Sequence, residues 1–166
     1  FLIIVLFLPT LCVSHDKKIV IPRSLKIRVL LKEYNTKDNP SFSIATHGGV
    51  ELQSVPESKK GCVFTRKHIN VQVKNNEMYF QEKDSRLGKA TKKEIVLIPK
   101  KRIITINDIT CQGHLILKID EKKHKLYVIN SLDIDDYVYS VLRYESYQSW
   151  PLEMQKVQAV VSRTYA

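Results

Sequence analysis

Cysteine is scarce in this chain, with Cys12, Cys62 and Cys111 the three present. They form no C-x-x-C, which argues against a thiol–disulfide redox motif or a zinc ribbon. Three cysteines also fall short of the disulfide framework of a small secreted domain. An exported chain could still join Cys62 to Cys111, and two buried free thiols fit the sequence equally well. The five histidines, His15, His47, His68, His114 and His124, show no H-x-x-x-H or His/Cys ligand spacing. No cofactor or metal site is identifiable from these residues. Internal repeats are absent, and no stretch is low-complexity enough to read as disordered. What remains is a globular composition, 43% hydrophobic over 166 residues. That is enough for one ordinary domain, or a small domain plus part of another, with a real core.

Negative charge is also short. Lys and Arg number 27 against 17 Asp and Glu, a net charge of +10. Residues 1–132 hold 24 basic and 12 acidic side chains, and residues 133–166 hold 3 and 5, so the balances are +12 and −2. The basic middle suits nucleic acid, anionic lipid or an anionic wall polymer, or is simply a solvated lysine-rich surface. An export signal in front of it makes nucleic acid the least apt of these, and no nucleic-acid partner is expected.

Such a signal is suggested by the opening run Phe1-Leu2-Ile3-Ile4-Val5-Leu6-Phe7-Leu8, followed by Pro9 and Leu11-Cys12-Val13-Ser14. A short apolar stretch ending in small residues two apart is the pattern of a signal peptide, here with cleavage before His15. An uncleaved membrane anchor, a lipidated Cys12 and a buried strand are the alternatives. The chain opens on Phe1, and Arg163-Thr164-Tyr165-Ala166 lies inside a helical pattern with no stop signal. Both ends read as those of a piece of a longer protein.

From Ser24 to about residue 130 the pattern has period two. Leu25, Ile27, Val29 and Leu31 alternate with Lys26, Arg28 and Lys32, which predicts a strand with one wet face. Asn35 to Pro40 reads as a polar loop. Phe42 and Ile44 lead to Gly48-Gly49, expected to form a tight hairpin turn before Val50 and Leu52. Ile69, Val71 and Val73 precede Asn75-Asn76, which can take positive φ and turn the chain into Met78-Tyr79-Phe80. Further strands fall at Ile95–Ile98, at Ile103–Ile106, over Leu115, Leu117 and Ile119, and, after a charged turn at Asp120–Lys125, over Leu126, Val128 and Ile129.

Near Asp133 the period changes. Ile134, Val138, Val141 and Leu142 recur at helical spacing, with Asp133, Asp135 and Asp136 placed to cap the N-terminus and oppose its dipole. Gln148-Ser149-Trp150 breaks the pattern. Pro151 fits the first position of a second helix, whose apolar side is Leu152, Val157, Val160, Val161 and Thr164. The expected fold class is α+β: mostly short antiparallel strands over about 24–130, then a helix-turn-helix corner over about 133–166.

Glu145 follows Val141 by four residues and Val138 by seven, which places a carboxyl on an apolar stripe. Desolvation there raises a carboxyl's pKa toward the range of a general acid, whereas a stripe ending before Glu145 would leave it in water. Ser146 and Ser162 have no histidine nearby in sequence to activate them, so a serine nucleophile is unsupported.

The stretch from Ile129-Asn130-Ser131-Leu132 through Asp135-Asp136-Tyr137-Val138 to Glu145 resembles the SpoIID/LytB family. Its continuation does too: Trp150-Pro151, then Lys156-Val157-Gln158-Ala159-Val160-Val161-Ser162-Arg163-Thr164-Tyr165-Ala166. Gln112-Gly113-His114-Leu115-Ile116-Leu117 is similar to a G-x-L-x-I strand of that family. Asp135 stands where Glu is usual, Ser140 for Gly, Ser146 for Met and Val157 for Ala. The resemblance implies lytic cleavage of peptidoglycan glycan strands, with Glu145 as the single catalytic acid and base. Tyr137, Trp150, Gln158, Arg163 and Tyr165 are then the substrate-binding or site-supporting residues. Its LytB branch implies the alternative of a non-catalytic wall-binding protein that enhances an amidase. The organisation expected on this basis is a signal or anchor over 1–14, a basic β-rich region over 15–132, and the start of the SpoIID/LytB core over 133–166. The partners are glycan strands, an amidase on the second reading, and the membrane if the N-terminus is retained.

Overall fold

The computed structural model of the chain describes residues 25–54, 62–64, 68–82, 88–89, 93–147 and 149–166. The apolar opening run, Cys12 and the expected cleavage point before His15 lie outside the described residues. So does the side chain of Cys62.

Twelve strands among the described residues form two six-stranded sheets. One sheet runs, edge to edge, β1 (Lys26–Asn35), β12 (Lys125–Asp133), β11 (His114–Asp120), β8 (Glu94–Pro99), β3 (Val50–Ser54) and β4 (Cys62–Phe64). The other runs β10 (Ile109–Gln112), β9 (Ile103–Ile106), β2 (Ser41–Thr46), β5 (His68–Lys74), β6 (Glu77–Glu82) and β7 (Gly88–Lys89). All the pairings are antiparallel. The helices α1 (Ile134–Glu145) and α2 (Leu152–Tyr165) follow the last strand, as the α+β reading expects.

Period-two burial builds the core. In β5, Ile69, Val71 and Val73 are buried while His68, Asn70 and Lys74 are exposed. In β12, Leu126, Val128, Asn130 and Leu132 are buried. Inward residues of both sheets, among them Ile44, Val71, Ile104, Leu97, Leu117 and Val128, join one cluster. Each such side chain contributes roughly 1.5–3 kcal/mol relative to exposure. β1 carries the expected alternation and is interrupted by a bulge between Leu30 and Lys32. Asn75 and Asn76 take φ of 50° and 58° and turn β5 into β6, as their sequence predicts. The Asn35–Pro40 loop contains a single 3-10 turn, Thr36–Asp38.

Three local expectations are corrected. Gly48 and Gly49 do have positive φ, but they make no hairpin: β2 and β3 lie in different sheets, and the glycines carry the chain from one to the other. Pro151 occupies the N-cap of α2 rather than its first turn, and its carbonyl accepts from the amides of Met154 and Gln155. Asp133 sits at the N-cap of α1 without a side-chain capping bond, and its Oδ1 is buried without a partner among the described residues. The strand β10 has too few alternating apolar residues to have been expected at all.

Candidate functional site: the corner formed by the two helices

β12 ends at Asp133 and α1 begins at the next residue, so the helix enters directly from a strand paired on both edges. Two contacts aim it. The Ile134 amide donates to the Leu25 carbonyl at 2.8 Å, and Asp136 in the first turn accepts from Arg102 at 2.5 Å. Arg102 itself has φ 55° and accepts the Gly113 amide through its carbonyl at 2.9 Å. Sequence reasoning missed Arg102. It lies 34 residues from Asp136, in the crossing between β8 and β9, and no local signal marks it.

Gly113, between β10 and β11, explains the glycine of the strand motif. Its φ is +88°, and a Cβ there would stand 2.5 Å from the Ser131 carbonyl oxygen and 2.9 Å from the Leu132 Cβ. Absence of a side chain lets the β10–β11 crossing lie directly against β12.

α2 packs on α1, and its less exposed side is Gln155, Gln158, Ala159 and Ser162, spaced i, i+3, i+4, i+7 and each half-buried or buried. The expected apolar side is turned outward: Leu152, Val157, Val160, Val161 and Thr164 are all exposed, as is Met154. Small and amide side chains on that side permit close approach and hydrogen bonding, and Gln158 bonds across to α1. Among the described residues nothing covers the apolar face.

Glu145 ends α1, and its carboxylate is exposed. The apolar stripe expected to desolvate it is itself only half-covered at Val138 and Val141, since α1 buries no residue fully. Desolvation by the protein is therefore not the device operating at Glu145 in this structure. What does reach it is Gln158, whose Nε2 donates to Glu145 Oε2 at 3.2 Å.

The other expected site residues are spread out. Trp150, half-buried, lies in the turn between the helices. Its ring is tilted against Tyr147 at 5.8 Å, and its carbonyl accepts from Gln155 Nε2 at 3.1 Å. Arg163 pairs with Asp135 at 2.8 Å. Asp135 is ten residues before Glu145, about 15 Å along the helix at 1.5 Å per residue. Tyr165 is 86% exposed at the end of α2. Tyr137 lines a groove toward the sheet instead. The structure thus brings together Glu145 and Gln158, with Trp150 at the adjoining turn; it does not bring in Arg163, Tyr165 or Tyr137. The two serines are structural here: Ser146 Oγ donates to the Leu142 carbonyl at 2.5 Å, and Ser162 is buried.

Residues 122–166 match the model of the SpoIID family, described as stage II sporulation protein. This segment belongs to the SpoIID family. The family is sporulation- and cell-wall-related and is associated with peptidoglycan. The chain is also 38% identical over 74 residues to an uncharacterized protein of Brachyspira hyodysenteriae, across 45% of this chain and 20% of that relative. The match therefore spans about a fifth of the relative's length. No solved structure matches the chain. The SpoIID segment comprises the β11–β12 turn from Lys122 onward, β12, α1 and α2, while Gly113, Arg102 and β1 lie outside it. Two of its departures have local roles. Ser140, in the place of glycine, donates to the Asp136 carbonyl at 2.9 Å, and Ser146, in the place of methionine, closes the C-terminus of α1.

Titratable groups near the corner make one pH prediction. Burial holds the His114 imidazole below its ordinary pKa of 6.5, Lys26 pushes in the same direction, and Asp133 opposes both. The fold therefore prefers neutral His114. Its contribution is fully present above pH 6.5 and is lost as the pH falls through the lowered folded pKa, because the unfolded chain binds the proton more readily. Urea melts between about pH 7.5 and pH 5.5 should show a fall in midpoint that His114→Gln reduces. An unchanged pH dependence in that variant would remove His114 from the account. Cys111 is a free thiol, pushed up to about 11 by burial, and is no nucleophile at neutral pH.

Proposed function

We propose that the chain is the front part of an exported cell-wall protein that cleaves peptidoglycan glycan strands as a lytic transglycosylase. The observation that carries this reading is the hydrogen bond from Gln158 to Glu145: a glutamine of the second helical motif rests on the glutamate that closes the first. Gln158 occupies Oε2 and leaves Oε1 to move a proton.

In the proposed reaction, Glu145 gives its proton to the oxygen linking MurNAc to GlcNAc, and the C1–O bond breaks with the electron pair leaving on that oxygen. The carboxylate then takes the proton of the MurNAc C6 hydroxyl as O6 bonds to C1, closing a 1,6-anhydro ring. The proton returns to Glu145 and no water is consumed. One carboxyl suffices, unlike in the paired-carboxylate hydrolases. Desolvation of Glu145 on this reading comes from the bound glycan, since no described element supplies it. The uncovered apolar face of α2 favours a second reading, a wall-binding enhancer that presents this face to an amidase.

Digestion of purified denuded glycan by the full-length protein should release anhydro-ended fragments. Stimulation of an amidase without such fragments would replace the first reading by the second. Export has its own test. The mature protein should begin near His15 on N-terminal sequencing. Retention of Phe1–Leu8 in membranes would favour an anchor, and full-length chain in the cytosol would defeat both.

A further inference from the structure

A groove of about 400 Å³ lies between α1 and the sandwich, within the roughly 300–1,000 Å³ range of small-ligand sites. Its walls include Tyr137, Tyr139, Tyr144 and Arg143 from α1, and Cys111 and Asn130 from the strands. At about 100° of rotation per residue, Glu145 lies roughly 200° around α1 from Arg143. The groove is therefore on the opposite flank of the helix from the Glu145–Gln158 pair, and nothing in the proposed cleavage uses it.

Three features give it a ligand chemistry. Arg143 is exposed and, among the described residues, has no acidic partner, so a guanidinium is left to bind a carboxylate. Tyr139 and Tyr144 are 67% and 87% exposed, an unusual display of ring surface suited to the apolar face of a sugar. Asn130 is buried to all but 4%, and its Nδ2 donates to the carbonyls of Gln112 at 2.7 Å and His114 at 3.0 Å. Its Oδ1 accepts nothing among the described residues, which leaves a fixed acceptor for a hydroxyl donor. Cation, ring face and buried acceptor in one groove match a saccharide that carries a carboxylate.

We propose that this groove binds an acidic amino sugar of the wall, with Arg143 on its carboxylate, at a position separate from the cleavage site. The choice of sugar rests on the wall-glycan reading; the site itself does not. N-acetylmuramic acid and N-acetylglucosamine differ by the lactyl carboxylate and so isolate the arginine. Titrations of the full chain followed by amide chemical shifts should place N-acetylmuramic acid in the groove, with shifts at Gln112 and Tyr144. Its affinity should be about 10-fold or more above that of N-acetylglucosamine. Arg143→Gln should remove that preference, and Tyr144→Ala should weaken both sugars. Equal affinity for the two sugars, binding of neither, or an undiminished preference in folded Arg143→Gln would each overturn the proposal. Because binding is read without turnover, N-acetylmuramic acid bound by a protein that cleaves no glycan would support the groove while defeating the transglycosylase reading.

Discussion

Glu145→Gln in the full-length protein should lower glycan cleavage by at least about 100-fold while leaving the protein folded, because general acid–base catalysis is typically worth about 10²- to 10⁴-fold. The substitution keeps the size of the side chain and one carbonyl oxygen for Gln158, and removes the proton that cleavage needs. Folding is insulated because the side chain is exposed and its removal leaves no buried group unpaired. Glu153→Gln is the matched control. Glu153 is exposed on α2 and pairs with Lys156 at 2.7 Å in the i, i+3 relation, an interaction worth about 0.2–0.5 kcal/mol. Anhydro-ended products are the readout. Full cleavage by folded Glu145→Gln would defeat the mechanism. If both variants fail to cleave but still stimulate an amidase, the corner is a docking surface.

The largest loss of stability should come from Gly113→Ala. Its φ of +88° is strained for any residue with a Cβ, and that Cβ would meet the Ser131 carbonyl at 2.5 Å. The obstructing atom belongs to the backbone of a strand held on both edges, so it cannot swing aside. Backbone strain alone costs about 1–3 kcal/mol, and the collision adds to it. A loss of about 3 kcal/mol or more is expected, a large share of the 5–15 kcal/mol that holds a typical domain. Gly48→Ala is the internal comparison. Its φ is +105°, but its Cβ would meet only the flexible side chain of Lys101 at 3.6 Å. Denaturant midpoints should rank Gly113→Ala well below Gly48→Ala. Equal midpoints would mean that the approach of the β10–β11 crossing to β12 is not a constraint.

Legibility in the sequence followed the range of the interaction concerned. The alternation in β5, the Asn75-Asn76 turn and the change of period at Asp133 are local, and the structure has each where the sequence puts it. Gly48-Gly49 announces a sharp change of direction but not its destination, because sheet membership depends on partners far along the chain. The orientation of α2 is hidden from the sequence for a related reason. Periodicity identifies an apolar side and assigns it inward by default, whereas the side of α2 that is least exposed carries Gln155, Gln158, Ala159 and Ser162. Spacing likewise placed Glu145 on a stripe without saying whether anything covers the stripe. The Glu145–Gln158 contact was accessible only through the family pattern, since no rule of spacing links residues across the Trp150-Pro151 turn.

The position of β12 has a practical consequence. It is hydrogen-bonded to β1 on one edge and β11 on the other, yet the matched family segment starts at Lys122 and contains neither neighbour. A piece trimmed to that segment would carry a nine-residue strand with both edges bare and Leu126, Val128 and Leu132 unroofed. Bare apolar strand edges recruit other strands, so such a piece should self-associate rather than report on the corner. Expression boundaries should therefore be set before Lys26, where β1 begins, and not at the edge of the recognised motif.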